Sequence, residues 1–250
     1  MQRMVTIFGG SGFVGRYIAR RMAKDGWRVR VAVRRPNEGH FVRMYGAVGQ
    51  VEPVFANIRD DDSVRAALMG ADAVVNCVGI LAEAGKNTFG SVQAEGAGRI
   101  ARIAAEMGLD RMVQISAIGA DAESASEYAR TKATGEAAIL KHLPDSVILR
   151  PSIIFGAEDQ FFNRFASMAS LLKVVPLVGG GTKFQPVFVD DVAAAAALAA
   201  QEKAAPGIYE LGGPDVDTFR EMMQLMLRVI RRRALLIPVP FFVATAMGFV

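Results

Sequence analysis

The 250-residue sequence predicts an α/β fold: a doubly wound parallel sheet carrying a small C-terminal lobe. Three observations predict it. The apolar run at residues 5–8 meets Gly9-Gly10-Ser11-Gly12-Phe13-Val14-Gly15 and continues into a helical pattern with Ile18 and Met22 on one face. Further short apolar runs then alternate with helical segments over residues 28–149. Those runs lack in-out alternation, as parallel strands covered by helices on both faces should.

Composition narrows the function classes. Hydrophobic residues at 52 % and charged residues at 22 % make a packed globular chain and exclude a disordered one. The net charge of +4 is dispersed and lacks interleaved aromatics, which argues against nucleic acid as a partner. The single cysteine, Cys77, lies in an apolar run. It offers no disulfide framework and no metal-ligand set, as expected in a reducing compartment. No targeting segment is read ahead of the first strand, so the expectation is a cytoplasmic protein.

The glycine loop predicts a nucleotide cradle, because a strand, a bare loop and a helix N-terminus in that order present backbone N–H groups to a pyrophosphate. Gly9 and Gly10 make the turn, Gly12 brings the backbone close to the phosphates, and Gly15 lets the helix pack on its strand. Ser11, Phe13 and Val14 complete the cradle. The second strand, Arg28–Val33, ends in Arg34-Arg35, about twenty residues past the glycines, where an acidic residue would read a ribose hydroxyl and arginine favours a 2′-phosphate. NADP(H) is therefore expected over NAD(H). The third strand, Val51–Phe55, leads to Asn57, placed to meet the adenine edge, and Ile58; Asp61 or Asp62 is expected to cap a helix over 63–69. The fourth, over 73–77, ends in Cys77-Val78-Gly79, a second close approach of backbone to ligand.

A helix over 91–107 leads to a fifth strand at 112–116, ending in Ser116. Tyr128 and Lys132 then fall on one face of a helix running to about residue 140. A cation beside a phenol favours phenolate, which suits the pair to proton transfer. The sixth strand, over 146–149, runs into Arg150-Pro151-Ser152-Ile153, of which the last three are expected at the cofactor. Residues 1–150 thus read as a Rossmann-type NADP(H)-binding domain. Residues 151–250 read as remaining elements and a small substrate or partner lobe, interleaved rather than independent. Within it lie a helix with Phe161, Phe162, Phe165 and Met168, a glycine turn at 179–181, a helix over 192–200 opened by Asp191, a strand at 207–211 and a helix from Thr218. After Arg231-Arg232-Arg233 come seventeen uncharged residues with two prolines, shorter than the ~20 that span a membrane. They read as a docking segment, either covering the small lobe or forming an interaction surface, and as a sign that the natural chain continues.

These motifs carry a resemblance. The glycine loop, the Tyr128/Lys132 pair, the stretch from Arg150 to Gly156 and Pro186-Val187-Phe188-Val189-Asp190-Asp191-Val192 resemble an extended or atypical short-chain dehydrogenase/reductase over nearly the whole chain. Tyr128-Ala129-Arg130-Thr131-Lys132 followed by Gly135-Glu136, and the string from Phe155 to Met168, are similar to the nucleotide-binding accessory subunit of respiratory complex I. That resemblance implies bound NADPH, complex I subunits as partners at the cytoplasmic membrane face, and a structural or assembly role. The alternative it leaves open is a free NADP(H)-dependent reductase or epimerase of a small or isoprenoid carbonyl compound; a redox-sensing regulator is the third reading. In the reductase reading Tyr128 is the general acid, Lys132 lowers its pKa and holds the ribose, and Ser116 orients the carbonyl. Active relatives carry a second hydroxyl after the strand-five serine, and here Ser116 is followed by Ala117. A shift of register by one residue restores the match; without it the catalytic hydroxyl is missing.

Overall fold

Strand β1 (Met4–Phe8), helix α1 (Phe13–Lys24), β2 (Arg28–Val33) and β3 (Val51–Phe55) begin the computed structural model, which describes residues 2–240. Helix α2 (Asp61–Leu68), β4 (Ala73–Asn76), α3 (Glu95–Glu106), β5 (Val113–Ile115), α4 (Glu127–His142) and β6 (Val147–Pro151) follow. Beyond them lie β7 (Ile154–Phe155), α5 (Phe161–Leu172), β8 (Val174–Val178), β9 (Lys183–Phe184) and β10 (Val187–Phe188). The chain continues with α6 (Val189–Ala200), β11 (Gly207–Leu211), β12 (Asp217–Thr218), α7 (Phe219–Val229) and β13 (Leu235–Val239).

The chain divides into two units: Met1–Pro151 with Val189–Leu211, and Ser152–Phe188 with Gly212–Val250. The first is built on a seven-stranded sheet of order β11-β6-β5-β4-β1-β2-β3, parallel throughout. Each parallel neighbour needs a crossover, and the right-handed strand–helix–strand connection lays helices on both faces. Order reverses beside β1, which pairs with β2 on one side and β4 on the other. A crevice opens at such a switch point, outside the carboxyl ends of the strands.

Three expectations change here. Helix α6 and strand β11, expected in the later lobe, belong to the first unit: β11 extends the sheet beside β6, and α6 packs on α1. The alanines of α6 let the two helices lie close, and Arg21 on α1 binds both carboxylate oxygens of Asp190 at 2.7 Å. The cap of α2 is Asp60, whose Oδ1 accepts the Ser63 N–H at 2.7 Å; Asp61 instead pairs with Arg99 and Arg102. The helix expected over 91–107 opens with a π turn, Gly90–Ala94, before the α-helical geometry of α3.

In the second unit β7 pairs with β10, β9 with β12, and β8 with β13. Helix α7 opens with a capping box of Thr218 and Glu221, and its buried Met222, Met223 and Met226 meet Val175, Leu177 and Ala169. Phe161, Phe165 and Phe184 cluster around Phe219 at 5.4–6.2 Å between ring centres. The first part of the apolar tail is therefore strand β13, laid along β8; residues 241–250, also assigned to the docking segment, lie outside the described residues. Among the described residues no helix is long and apolar enough to cross a membrane.

Candidate functional site

A cleft of about 670 Å³ sits at the carboxyl ends of β1, β2, β3 and β4. Gly9, Ser11 and Gly12 line it from the glycine loop, Arg34 and Arg35 from the end of β2, Asn57 and Ile58 from beyond β3, and Cys77, Val78 and Gly79 from beyond β4. Four segments far apart in sequence converge because parallel strands all end on the same edge.

The loop owes its shape to two glycines. Gly9 has φ of +73°, a left-handed conformation that an L side chain seldom adopts. Gly15 is held tightly against the loop: a Cβ there would overlap the Gly9 carbonyl oxygen and come to 2.7 Å of Gly10 Cα. The loop satisfies itself, Gly9 N–H donating to Ala32 O at 2.9 Å and Gly12 N–H to Gly9 O at 2.9 Å. Helix α1 then starts at Phe13 with no side-chain cap and no acidic residue in its first turn. The N–H groups of Phe13, Val14 and Gly15 have no intrahelical partner, so the positive end of the helix dipole is left for an anion. That arrangement fits a pyrophosphate.

At the second end of the cleft, Arg34 donates to Asn87 Oδ1 at 3.0 Å and Arg35 pairs with Glu38 at 3.0 Å. Asn87, Glu38 and Arg59 line the cleft too, and no sequence signal pointed to them. The Arg35–Glu38 pair is well exposed, so it is weak and gives way readily to a phosphate. The Asn57 side chain faces its own loop, where Oδ1 accepts the Arg59 N–H at 3.2 Å.

Tyr128 and Lys132 lie one turn apart on α4. The ammonium is 5.8 Å from the phenol ring centre and donates to Ile115 O at 3.4 Å. It also lies 3.4 Å from where a Cβ on Gly79 would be, which brings Lys132 to the β4 end of the cleft. Tyr128 stacks edge-on against Phe89, and burial pushes its phenol above the ordinary value, opposite to the lowering expected from a neighbouring cation. The cause is the desolvation of the phenol itself, and Lys132, brought down to about 8, is already neutral at the pH where a phenol ionises. Burial likewise pushes the Cys77 thiol up to about 12, against the pull of Lys132. A thiol so disposed is inert.

Burial pushes the Lys132 ammonium down to about 8, with Glu136 opposing. In the unfolded chain a lysine titrates near 10.4. Below pH 8 both states are protonated and the folded state bears the whole desolvation cost, on the order of 3 kcal/mol. Between about 8 and 10.4 the unfolded chain binds more protons, so this group's contribution makes stability rise with pH. Lys132→Met should therefore raise the unfolding free energy at pH 7 by up to about 3 kcal/mol, an advantage that fades as pH rises to 10.5. Urea titrations of both proteins across that range test it.

Ser116 is placed differently from expectation. It is buried, and its hydroxyl donates to Glu136 Oε1. Glu136, only 4 % exposed, is in turn gripped by Arg150, whose Nε lies 3.1 Å and Nη2 2.6 Å from its two oxygens. In this arrangement the Ser116 hydroxyl links β5 to α4 and, through Glu136 and Arg150, to β6. Glu136 and Arg150 were quoted from the sequence only as parts of longer strings, because partners fourteen residues apart on different elements leave no local pattern. Gln93 was missed altogether. It sits in the π turn, 3 % exposed, and among the described residues nothing pairs with its amide N or O. Pro151 ends β6, while Ser152 and Ile153 belong to the second unit, where the Ile153 carbonyl accepts the Val187 N–H at 2.9 Å.

Comparison with known proteins agrees with this geometry. Residues 5–212 match the model of the NAD dependent epimerase/dehydratase family. The chain is 38 % identical over 250 residues to NADH dehydrogenase [ubiquinone] 1 alpha subcomplex subunit 9, mitochondrial, of Arabidopsis thaliana, covering 98 % of this chain and 62 % of that protein. It spans less than two thirds of the length of the curated relatives of that description. It is 30 % identical to the ceramide reductase of Caulobacter vibrioides, covering 95 % of this chain and 74 % of that one. The crystal structure of the Bordetella bronchiseptica enzyme WbmG in complex with NAD superposes with a TM-score of 0.79 at 16 % identity, over 96 % of this chain and 82 % of that one, which shows a shared fold.

Proposed function

We propose, for a chain that belongs to the NAD dependent epimerase/dehydratase family, a role as an accessory or assembly module of respiratory NADH:quinone oxidoreductase in which bound NADP(H) supports the fold more than it turns over. One observation carries the reading: the Ser116 hydroxyl is spent on the Glu136–Arg150 pair, and Ala117 beside it has none to offer. Donors aimed at a developing oxyanion are worth ~2.7–4 kcal/mol, or roughly a hundred- to a thousandfold in rate. The similarity to the plant subunit supports the partner, and the reading places the chain peripherally at the inner face of the membrane.

The nucleotide would lie with its pyrophosphate at the start of α1, held by Gly9, Ser11, Gly12 and the N–H groups of Phe13, Val14 and Gly15. Its adenosine end would lie between Arg34, Arg35, Asn57 and Ile58, with the ribose on the nicotinamide side near Lys132 and Tyr128. When bound, the nicotinamide supplies a hydride donor or acceptor. NADP(H) is preferred because Arg34 and Arg35 face the cleft, with Glu38 as the opposing charge. Charge-assisted hydrogen bonds to phosphate are worth ~1.5–3 kcal/mol each, so replacing both arginines by alanine should cut the NADPH-over-NADH preference at least tenfold. Calorimetric titration with each cofactor measures it; equal affinities in the unmodified protein would end the assignment.

The second reading, a free reductase, draws on Tyr128 and Lys132 and on the similarity to a ceramide reductase. Here Tyr128 would give its proton to the carbonyl oxygen, with Lys132 holding the ribose. The two readings separate in one experiment: capture of partners from the native membrane, beside NADPH oxidation with aldehydes, ketones and quinones by the unmodified protein and Tyr128→Phe. Recovery of complex I subunits with oxidation indifferent to Tyr128 supports the first. Turnover of several per second that is lost in Tyr128→Phe, with no such subunits recovered, establishes the second.

A further inference from the structure

We propose that the second unit contains a binding site for a single-chain amphiphile whose head carries no negative charge. A cavity of about 470 Å³, within the size range of small-ligand pockets, is walled by α5 and α7. Met222, Leu225, Met226 and Val229 recur on one face of α7, and Phe162 and Ala166 stand one turn apart on α5. Met222 and Met226 are buried and form the floor, whereas Leu225 and Val229 are 48 % and 72 % exposed at the rim. Hydrocarbon laid along this face displaces water from surface that folding has left wet. The unbranched methionines adjust to the shape of a chain.

The polar groups of the wall say what the head can be. The Asn163 amide donates to the carbonyls of Ala157 and Asp159 at 2.9 and 2.7 Å, and Asp159 accepts the N–H of Phe162 at 2.6 Å and of Gly156 at 3.2 Å. The Asn163 amide nitrogen and the Asp159 carboxylate are thus engaged within the wall. Among the described residues, the charged ones lining the cavity are Asp159, Asp215 and Asp217, with no lysine or arginine. A phosphate, sulfate or carboxylate head meets only like charge there, while a neutral or cationic head does not. A diphosphate-bearing ligand is excluded on the same ground. All of the lining residues belong to the second unit, so the inference is independent of the nucleotide reading.

The full chain should be titrated calorimetrically with octyl, decyl and dodecyl trimethylammonium and with the alkyl sulfates of the same lengths, all below their micelle thresholds. Affinity for the cationic series should rise about fourfold per added methylene, the factor expected for transferring a CH₂ out of water. The sulfates should bind at least tenfold more weakly. Ala166→Phe, which fills the cavity, and Leu225→Gln, which wets its rim, should each lower affinity at least tenfold. Leu225 is half-exposed, so its variant keeps the test valid if Ala166→Phe fails to fold. Equal binding of the two series, no dependence on chain length, or unchanged binding by Leu225→Gln would mean surface adsorption and overturn the proposal. Absence of binding to the full chain overturns it as well, including the case in which the chain's own last residues fill the space. None of these outcomes touches nucleotide binding, which is read separately by thermal stabilisation with NADPH.

Discussion

Arg150→Met should lower the unfolding free energy by about 3–5 kcal/mol, the cost of leaving a buried charge without its partner. Glu136 is 4 % exposed and its two oxygens take three hydrogen bonds from the Arg150 guanidinium, so removing that group leaves a carboxylate in the interior with the Ser116 hydroxyl and the charge of the buried Lys132 as its remaining support. For a chain of this size each kcal/mol moves the melting temperature by roughly 2–4 °C, so a fall of roughly 6–20 °C is expected. The double variant Glu136→Met with Arg150→Met should recover most of the loss, because both charges then leave together. Thermal melts of the single and double variants decide it. A single variant within 2 °C or so of the unmodified protein would show that the pair is solvated, and the carbonyl-orienting role would return to Ser116.

Gly15→Val should abolish nucleotide binding and destabilise the first unit together. A Cβ at Gly15 meets backbone, the Gly9 carbonyl and Gly10 Cα, and backbone does not step aside as a side-chain tip does. Helix α1 must then move off the loop, which carries the unpaired N–H groups of its first turn away from the cleft. A ligand present at a hundred times its Kd stabilises the fold by about 2.7 kcal/mol, so NADPH should raise the melting temperature of the unmodified protein and leave that of Gly15→Val unmoved. Gly12→Val provides the contrast. Gly12 has an ordinary φ of −70° and a Cβ there comes to 3.1 Å of Gly9 O, a tight contact that needs a shift of only a few tenths of an ångström, so this variant should lose less stability than Gly15→Val while its side chain still obstructs the cleft. An NADPH-dependent rise surviving in either variant would place the nucleotide elsewhere.

The ranges of β2 and β3, the glycine loop and the helical spacing of Tyr128 and Lys132 could all be read along the chain, because each is set by near neighbours. A buried parallel strand announces itself by an unbroken apolar run, and a left-handed φ by a glycine. The convergence of Arg34, Asn57 and Gly79 on the cleft followed from the fold class, since alternating strands and helices put all the carboxyl ends on one edge. Tertiary structure alone decided the rest. That β11 returns to lie beside β6, across fifty-five intervening residues, depends on how α6 packs against α1 and on the Arg21–Asp190 pair, which no local window contains. Desolvation is likewise a property of everything that surrounds a group. The same Lys132 that spacing suggests should charge a tyrosine is brought down to about 8, and the same Ser116 that a motif offers to a substrate is committed to Glu136, because side chains distant in sequence have taken the place of water.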